Sequence, residues 1–157
     1  MPLKAIITSV EGHTGCFAIT ELLLSDPFST DVDSVVGLTL DFNVPKTKEC
    51  EIQGAHIVQH VPGNENLTIQ TLKENSCDAL YLVPPAHADV KSIAIEPINV
   101  AKEAGIPNIL LISSAGCDYV DPQKQPRWRE FIDLEAMVLA AEGDESTNTG
   151  PSSCIIR

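Results

Sequence analysis

The feature that most constrains the fold is a stretch near the amino terminus with the pattern of a strand, a tight turn and a helix start. The β-branched run at 5–8 is followed by two glycines three residues apart, Gly12 and Gly15, and then by the apolar stretch 17–24. Glycines at this spacing let a phosphate approach the backbone closely, and a helix amino terminus offers unpaired N–H groups and the positive end of its dipole. The stretch therefore predicts a dinucleotide-binding βαβ unit.

The first position of this turn departs from the usual fingerprint. Glycine is expected there, and this chain has Ser9, giving S-x-x-G-x-x-G. A serine fits such a turn only at negative φ, so we expect either a different turn or a different phosphate position. Glu11 lies in the same turn, and its carboxylate would repel a diphosphate unless it points to solvent. The pyrophosphate contacts predicted here are Ser9, Glu11, His13, Thr14 and the two glycines, and the alternative is a structural turn that has lost its ligand.

Composition and charge exclude several classes of protein. Ten basic and 22 acidic residues give a net charge of −12, and no basic cluster is present, so direct nucleic-acid binding is not expected. The 43% hydrophobic and 20% charged residues suit one globular domain over residues 1–157. The sequence has no long apolar segment and no signal-peptide pattern, which disfavours membrane insertion and secretion. We therefore expect a cytoplasmic protein.

The five cysteines show neither C-x-x-C nor Cys/His ligand spacing. This scatter predicts reduced thiols and no metal site. Cys16 stands at a predicted helix start, where the pKa of a thiol can be lowered, but no base or resolving thiol is close to it in sequence. A small packing residue is the expected role for Cys16.

Strand-like and helix-like patterns alternate along the rest of the chain. The strand-like runs cover residues 5–8, 35–40, 55–60, 78–83, 108–113 and 154–156. Helical spacing separates them, and within the helical pattern at 89–104 we expect Pro97 to kink or divide the helix. The alternation predicts an α/β fold of Rossmann type, a doubly wound parallel sheet with strand order 3-2-1-4-5-6.

Further candidate residues follow strands two, four and five. Asp41 follows strand two, Pro84 follows strand four, and Ser113 and Ser114 follow strand five. Open α/β sheets bind ligands in the crevice outside these strand ends, so all four are candidate cofactor contacts. Asp41 could accept hydrogen bonds from ribose hydroxyls, which favours NAD. The alternatives are a solvated strand-end aspartate and serines that cap the following loop.

Six short motifs occur in an order that resembles one family. They are EGHTG at 11–15, LYLVPP at 80–85, AKEAGI at 101–106, LISSAG at 111–116, FIDLE at 131–135 and CIIR at 154–157. With these motifs the chain resembles the NmrA-like group of atypical short-chain dehydrogenase/reductase proteins, especially its fungal members. The resemblance implies a dinucleotide-binding domain with NADP or NAD as cofactor, in a family of NAD(P)H-dependent reductases and non-catalytic redox sensors. Members continue past the final Ile-Ile-Arg into a substrate-enclosing region, which the resemblance implies is lacking here.

The sequence does not supply the catalytic pair that this resemblance implies. Short-chain dehydrogenases use a tyrosine and a lysine four residues later, because the ammonium lowers the pKa of the phenol. Tyr119 is followed at that spacing by Gln123, with Lys124 one residue further, and the motif at 131–135, where family reductases have a lysine, has Asp133-Leu134 instead. Catalytic residues thus stay unassigned, with Tyr119 and His87 as candidate general acids and a surface or packing role as the alternative for each.

Three hypotheses about function follow. The first is an NAD(P)-binding, NmrA-like oxidoreductase that reduces a small hydrophobic carbonyl or enone in secondary metabolism. The second is a non-catalytic dinucleotide sensor that acts through a regulatory protein partner. The third is an isomerase or cyclase that uses the crevice without redox chemistry and without the cofactor. An open edge at the sixth strand also predicts a homo-oligomer, in which a second copy of the chain completes the sheet.

Overall fold

The computed structural model describes residues 2–24, 31–117, 119–121, 123–141 and 152–156. Its centre is a six-stranded, wholly parallel sheet with strand order β3-β2-β1-β4-β5-β6. The strands are β1 (Leu3–Ile7), β2 (Val32–Thr39), β3 (His56–Gln59), β4 (Ala79–Leu82), β5 (Asn108–Ile112) and β6 (Ser152–Ile156). The predicted Rossmann-type fold and strand order are confirmed.

Helical segments alternate with these strands. A π-helix at Thr14–Thr20 continues into α1 (Glu21–Leu24), and α2 (Pro45–Ile52), α3 (Glu65–Glu74), α4 (Val90–Ala104) and α5 (Pro126–Leu139) follow. None of the helices in the described ranges is long and apolar enough to cross a membrane.

The order of the strands creates a switch point beside β1. Ile6 pairs with Val36 of β2 on one side and with Leu80 of β4 on the other, so the sheet grows in opposite directions from β1. The loops that leave the carboxyl ends of β1 and β4 therefore run apart and leave a crevice between them.

Alternate residues of β1 enter two different core layers. Ile6 packs with residues of α3, α4 and α5, among them Leu72, Ile98 and Leu134. Ile7 lies on the opposite face, in a cluster with Cys16 of the π-helix and Cys50 of α2. The side chains of β1 divide between the two layers because successive side chains of a strand point to opposite faces.

Two local features differ in part from the sequence pattern: Pro97 does not divide its helix, and β2 is longer than its predicted run. α4 runs unbroken through Pro97, which is buried next to the fully buried Ile98. A proline inside a helix costs about 3 kcal/mol, and burying apolar side chains of this size against the sheet offsets a loss of that order. β2 begins at Val32, before the start of the strand-like run predicted at 35–40.

Candidate functional site

A cavity of about 480 Å³ lies where the carboxyl ends of β1, β2 and β4 meet. Its lining residues directly follow these strands in the chain, and they include most of the predicted cofactor contacts. They are Ser9, Glu11, Gly12, His13, Thr14, Gly15, Leu40, Val83, Pro84, Pro85, Ala86 and His87. The structure thus brings the glycine-rich turn and the proline loop after β4 to the two sides of the switch point, which is where this class of sheet binds ligands.

The turn keeps its shape without the first glycine. Ser9 has φ 55°, the left-handed conformation that glycine normally provides, and it is 8% exposed. Our expectation that a serine here requires negative φ is therefore wrong. The Gly12 N–H donates to the carbonyl oxygen of Ser9 at 3.0 Å and closes the turn.

The two remaining glycines are needed for space and not for a positive φ. A Cβ at Gly15 would collide with the carbonyl group of Ser9, whose carbon would lie 2.9 Å away. A Cβ at Gly12, which lines the cavity, would lie 3.3 Å from the carbonyl oxygen of Ser9. The turn therefore packs tightly on its inner side and leaves its backbone accessible at Gly12.

One buried side chain, which the sequence did not reveal, joins the two walls of the crevice. The Thr8 hydroxyl donates to the carbonyl oxygen of Val83 at 2.9 Å and accepts from the Val83 N–H at 2.8 Å. The Thr8 N–H also donates to the carbonyl oxygen of Tyr81. These bonds extend the pairing of β1 with β4 beyond the strands, so the turn and the proline loop are held at a fixed separation.

The helix that follows the turn starts in an unusual form. His13 is the amino-terminal cap and makes no side-chain capping bond. The Thr20 hydroxyl donates to the carbonyl oxygen of Gly15, and the Cys16 N–H donates to that of Gly12. The first N–H groups of a helix have no partner within the helix, and π-helical turns are frequent at functional sites. This helix start faces the cavity through its exposed residues His13 and Thr14.

The charge of the cavity is set by one carboxylate. Among the described residues that line it, Glu11 is the one acid, His13 and His87 are the two imidazoles, and none is lysine or arginine. The Glu11 carboxylate is half-buried and accepts a long hydrogen bond of 3.4 Å from the N–H of Leu40. It therefore points toward the end of β2, and not away into solvent as binding of a diphosphate would favour.

Asp41 lies beside this end of the cavity but does not line it. Its carboxylate accepts from the backbone N–H of Asn43 at 2.8 Å and from that residue's side-chain amide at 3.0 Å. Asp41 is exposed, so its remaining lone pairs face solvent near Leu40. The structure leaves both interpretations of Asp41 open.

The predicted contacts after β5 are not among the lining residues. The Ser113 hydroxyl donates to the buried carboxylate of Glu135 on α5 at 2.5 Å, and the Ser113 N–H donates to the carbonyl oxygen of Ile156. Ser114 accepts through its carbonyl oxygen from the N–H of Cys117. These serines tie β5 to α5, to β6 and to the following turn, which agrees with the capping alternative.

The structure does not assemble a tyrosine and lysine pair at the cavity. Tyr119 is 89% exposed and does not line the cavity, and the Lys124 ammonium lies 3.4 Å from the carboxylate of Asp121. His87 lines the cavity and is half-exposed, and its Nδ1 accepts from the N–H of Asp89 at 3.2 Å. Of the two candidate general acids, only His87 can reach a ligand in the cavity.

Asp133, in the motif where the resemblance implies a lysine, forms part of a cluster between α4 and α5. Lys91 donates to its carboxylate at 2.5 Å and Arg129 at 2.9 Å. These hydrogen bonds hold the pKa of Asp133 below its ordinary value. The Lys91–Asp133 ion pair joins the amino end of α4 to α5, and the carboxylate of Asp133 is partly exposed.

The prediction of reduced thiols is wrong for one pair of cysteines. Cys16 and Cys50 are joined as a disulfide, with Cα atoms 5.9 Å apart, a separation that is common for disulfides. Both residues are buried, and the pair links the helix after the glycine-rich turn to α2. Cys77, Cys117 and Cys154 are free, and burial raises the pKa of Cys77 to about 11. Within the described ranges no cluster of three metal-binding side chains occurs.

No protein-family model matches this sequence, and no curated protein matches it. Solved structures with the same fold do match. The NADPH-dependent quinone oxidoreductase of Escherichia coli, complexed with NADPH, has a TM-score of 0.70 and 22% identity over 96% of this chain and 47% of its own. The WbmH enzyme of Bordetella bronchiseptica, in complex with NAD+, has a TM-score of 0.71 and 14% identity over 100% of this chain and 56% of its own.

A third solved structure, of a plant enzyme, also matches nearly the whole of this chain at low identity. Leucoanthocyanidin reductase from Vitis vinifera has a TM-score of 0.69 and 17% identity over 97% of this chain and 45% of its own. At identities this low the likeness shows the fold. The chain spans about half the length of each of these proteins.

Proposed function

We propose that this chain is the dinucleotide-binding part of an NmrA-like, oxidoreductase-type protein and that it binds NAD(P) in the cavity beside β1 and β4. The observation that carries the proposal is the backbone around Gly12, which faces the cavity at the start of a helix. Helix amino termini with glycine-rich approaches favour phosphate groups through their N–H donors and dipole. The solved structures described above include proteins in complex with NADPH and with NAD+, which supports a nicotinamide dinucleotide as the ligand.

The volume of the described cavity suits a dinucleotide, but the charges of its lining residues suit one only in part. The volume of about 480 Å³ lies within the usual range for small-molecule sites. The turn would hold the pyrophosphate, the loop after β2 would face the adenosine ribose, and the residues Pro84–His87 would face the nicotinamide. No lysine or arginine lines the described cavity, so the phosphates depend on backbone donors and on the helix dipole. When bound, the nicotinamide supplies hydride-transfer chemistry.

For the reductase, the expected acceptor is a small hydrophobic carbonyl or enone. Val83, Pro84, Pro85 and Ala86 make the β4 side of the cavity apolar, which favours an apolar substrate there. Among the described lining residues, His87 is the group that could deliver a proton to such an acceptor. The chain covers 47% of the quinone oxidoreductase and 45% of leucoanthocyanidin reductase.

A second function, a non-catalytic dinucleotide sensor, is favoured by the position of Tyr119. That phenol is almost fully exposed, and the nearest lysine in sequence, Lys124, pairs with an aspartate. A sensor needs the cofactor cavity but no proton donor, and it transmits the bound state to a partner protein.

The partner in either case could be a second copy of the chain. β6 pairs with β5 and is the last strand in the order of the described sheet. A strand at the edge of a sheet can recruit a strand of another chain. We propose that a second copy pairs there, and a native mass twice that of the monomer supports this proposal, whereas a monomer at micromolar concentration contradicts it.

Titration with NADH and NADPH, followed through the fluorescence of the reduced nicotinamide, tests the binding proposal. We expect saturable binding below millimolar concentration for at least one nucleotide. Gly12→Val should abolish it, because the new side chain would fill the approach to the turn, while the far-UV circular dichroism stays that of the wild type. Retained affinity in Gly12→Val shows that the turn does not hold the phosphates.

A second experiment separates the reductase from the sensor. Once binding is established, oxidation of the bound reduced nucleotide is followed across a panel of aldehydes, ketones and enones. Turnover that is lost in His87→Ala supports the reductase, and saturable binding without turnover across the panel supports the sensor.

A further inference from the structure

We propose that the ribose end of the cavity selects a dinucleotide with a free 2′-hydroxyl over one with a 2′-phosphate, and that Glu11 determines this selection. The inference rests on the proposed function, since it concerns the ligand of the same cavity. It assigns NAD as the preferred cofactor.

The loop after β2 is the part of a Rossmann sheet that faces the adenosine ribose. Here its backbone donors are already used by the chain's own oxygen atoms. The Leu40 N–H donates to Glu11 at 3.4 Å, and the Asp41 N–H donates to the hydroxyl of Thr39 at 3.2 Å. The Asn43 N–H donates to the carboxylate of Asp41 at 2.8 Å. A phosphate group at this position would have to displace these bonds to obtain backbone partners.

The charges at the same place are negative. Glu11 lines the cavity and Asp41 stands beside it, so a 2′-phosphate would approach two carboxylates. The first lysine after the loop, Lys46, has its ammonium 5.4 Å from the centre of the Phe17 ring and does not line the described cavity. A cation at this distance over an aromatic ring is attracted by the ring's negative face.

A ribose diol fits the same arrangement. Carboxylates accept hydrogen bonds only, and the two ribose hydroxyls can donate to them. Glu11 is half-buried, so solvent screens its charge less than that of a fully exposed carboxylate. Repulsion between this carboxylate and a phosphate dianion then weakens binding of the phosphorylated nucleotide while leaving the diol unaffected.

The test is the ratio of dissociation constants for NADH and NADPH, measured by nucleotide fluorescence or calorimetry without any substrate. We expect wild-type protein to bind NADH at least about tenfold more tightly at low salt, and the ratio to fall as salt is raised. Glu11→Gln keeps the side-chain length and the acceptor for Leu40 but removes the charge, and it should bring the ratio several-fold closer to one. Glu49→Gln on the exposed face of α2 changes the net charge equally and should leave the ratio unchanged.

The outcomes separate the two proposals. Binding of neither nucleotide overturns the proposed function, and this inference with it. Saturable binding with NADPH equal to or tighter than NADH overturns the inference alone. An equal change of the ratio in Glu11→Gln and Glu49→Gln assigns the effect to overall charge and overturns the role of Glu11. If Glu11→Gln does not fold, the wild-type ratio and its salt dependence decide the question.

Discussion

Replacing Ser9 by glycine should stabilise the protein, because Ser9 holds a left-handed backbone at φ 55° with its residue almost buried. A side chain in this conformation costs roughly 1–2 kcal/mol relative to glycine. Glycine also loses more backbone entropy on folding, which lowers the gain in the free energy of unfolding by about 0.4–1 kcal/mol. The net expectation for Ser9→Gly is a gain of about 1 kcal/mol in the free energy of unfolding.

Urea unfolding followed by circular dichroism measures this gain directly. For a chain of this length, such a gain raises the melting temperature by roughly 2–4 °C. Two variants serve as controls. Ser9→Ala removes the hydroxyl but keeps the Cβ, so it should not stabilise. Ser76→Gly relieves the other non-glycine residue with positive φ, at 49°, in an exposed position after α3 and outside the cavity lining.

The comparison of these variants can refute the reasoning. If Ser76→Gly stabilises the protein and Ser9→Gly does not, the turn conformation of Ser9 is not the source of strain. If Ser9→Ala stabilises as much as Ser9→Gly, the hydroxyl and not the backbone is responsible. A weaker affinity for nucleotide in Ser9→Gly, with unchanged affinity in Ser76→Gly, would further show that the serine side chain contributes to binding.

Three other changes test separate parts of the structure. Thr8→Val leaves the N–H and carbonyl of Val83 without their partner and should lower the free energy of unfolding by about 2–3 kcal/mol in urea titrations. An unchanged free energy of unfolding would contradict a stabilising role for these two hydrogen bonds. Hydrogen bonds lower the pKa of Asp133, so the stability that its carboxylate contributes is present above the ordinary pKa near 4 and is lost as pH falls through the folded pKa. The difference in the free energy of unfolding between wild type and Asp133→Asn should therefore shrink below about pH 4. A difference that does not depend on pH contradicts this expectation. In denatured protein kept free of reductant, three of the five thiols should react with a thiol reagent and all five after reduction, whereas five before reduction would show that Cys16 and Cys50 are unpaired.

The strand order of the sheet could be predicted from the sequence because it depends on the pattern of the whole chain and not on any single residue. Six apolar runs separated by helical patterns allow few topologies, so an error of a few residues in any run leaves the strand order unchanged. The start of β2 at Val32 is such an error, and the expected order still holds. The placement of the glycine-rich turn opposite Pro84 follows from that order alone, since it depends only on which strands lie side by side.

The individual side chains of the site could not be predicted in the same way. Thr8 ends a β-branched run, and nothing in that pattern distinguishes a bridging hydroxyl from an ordinary strand threonine. Cys16 and Cys50 are 34 residues apart, and their contact depends on how α2 packs beside the π-helix. Ser113 follows the carboxyl end of β5, which is where a crevice residue is expected. Its hydroxyl instead donates to Glu135 of α5, and the sequence does not specify the path of the loop that leads to α5.

Trp128 gives this protein a built-in optical reporter. It is the one tryptophan of the chain, and its ring covers Gly116 in the turn after β5, with the Phe131 ring centroid 6.5 Å away. A Cβ at Gly116 would lie 2.6 Å from a ring carbon, so any movement of that turn must change the surroundings of the indole. Indole emission overlaps the absorption of reduced nicotinamide, so energy transfer from Trp128 would report the distance of a bound nicotinamide from α5. A single-site label is thus available without altering any residue of the cavity.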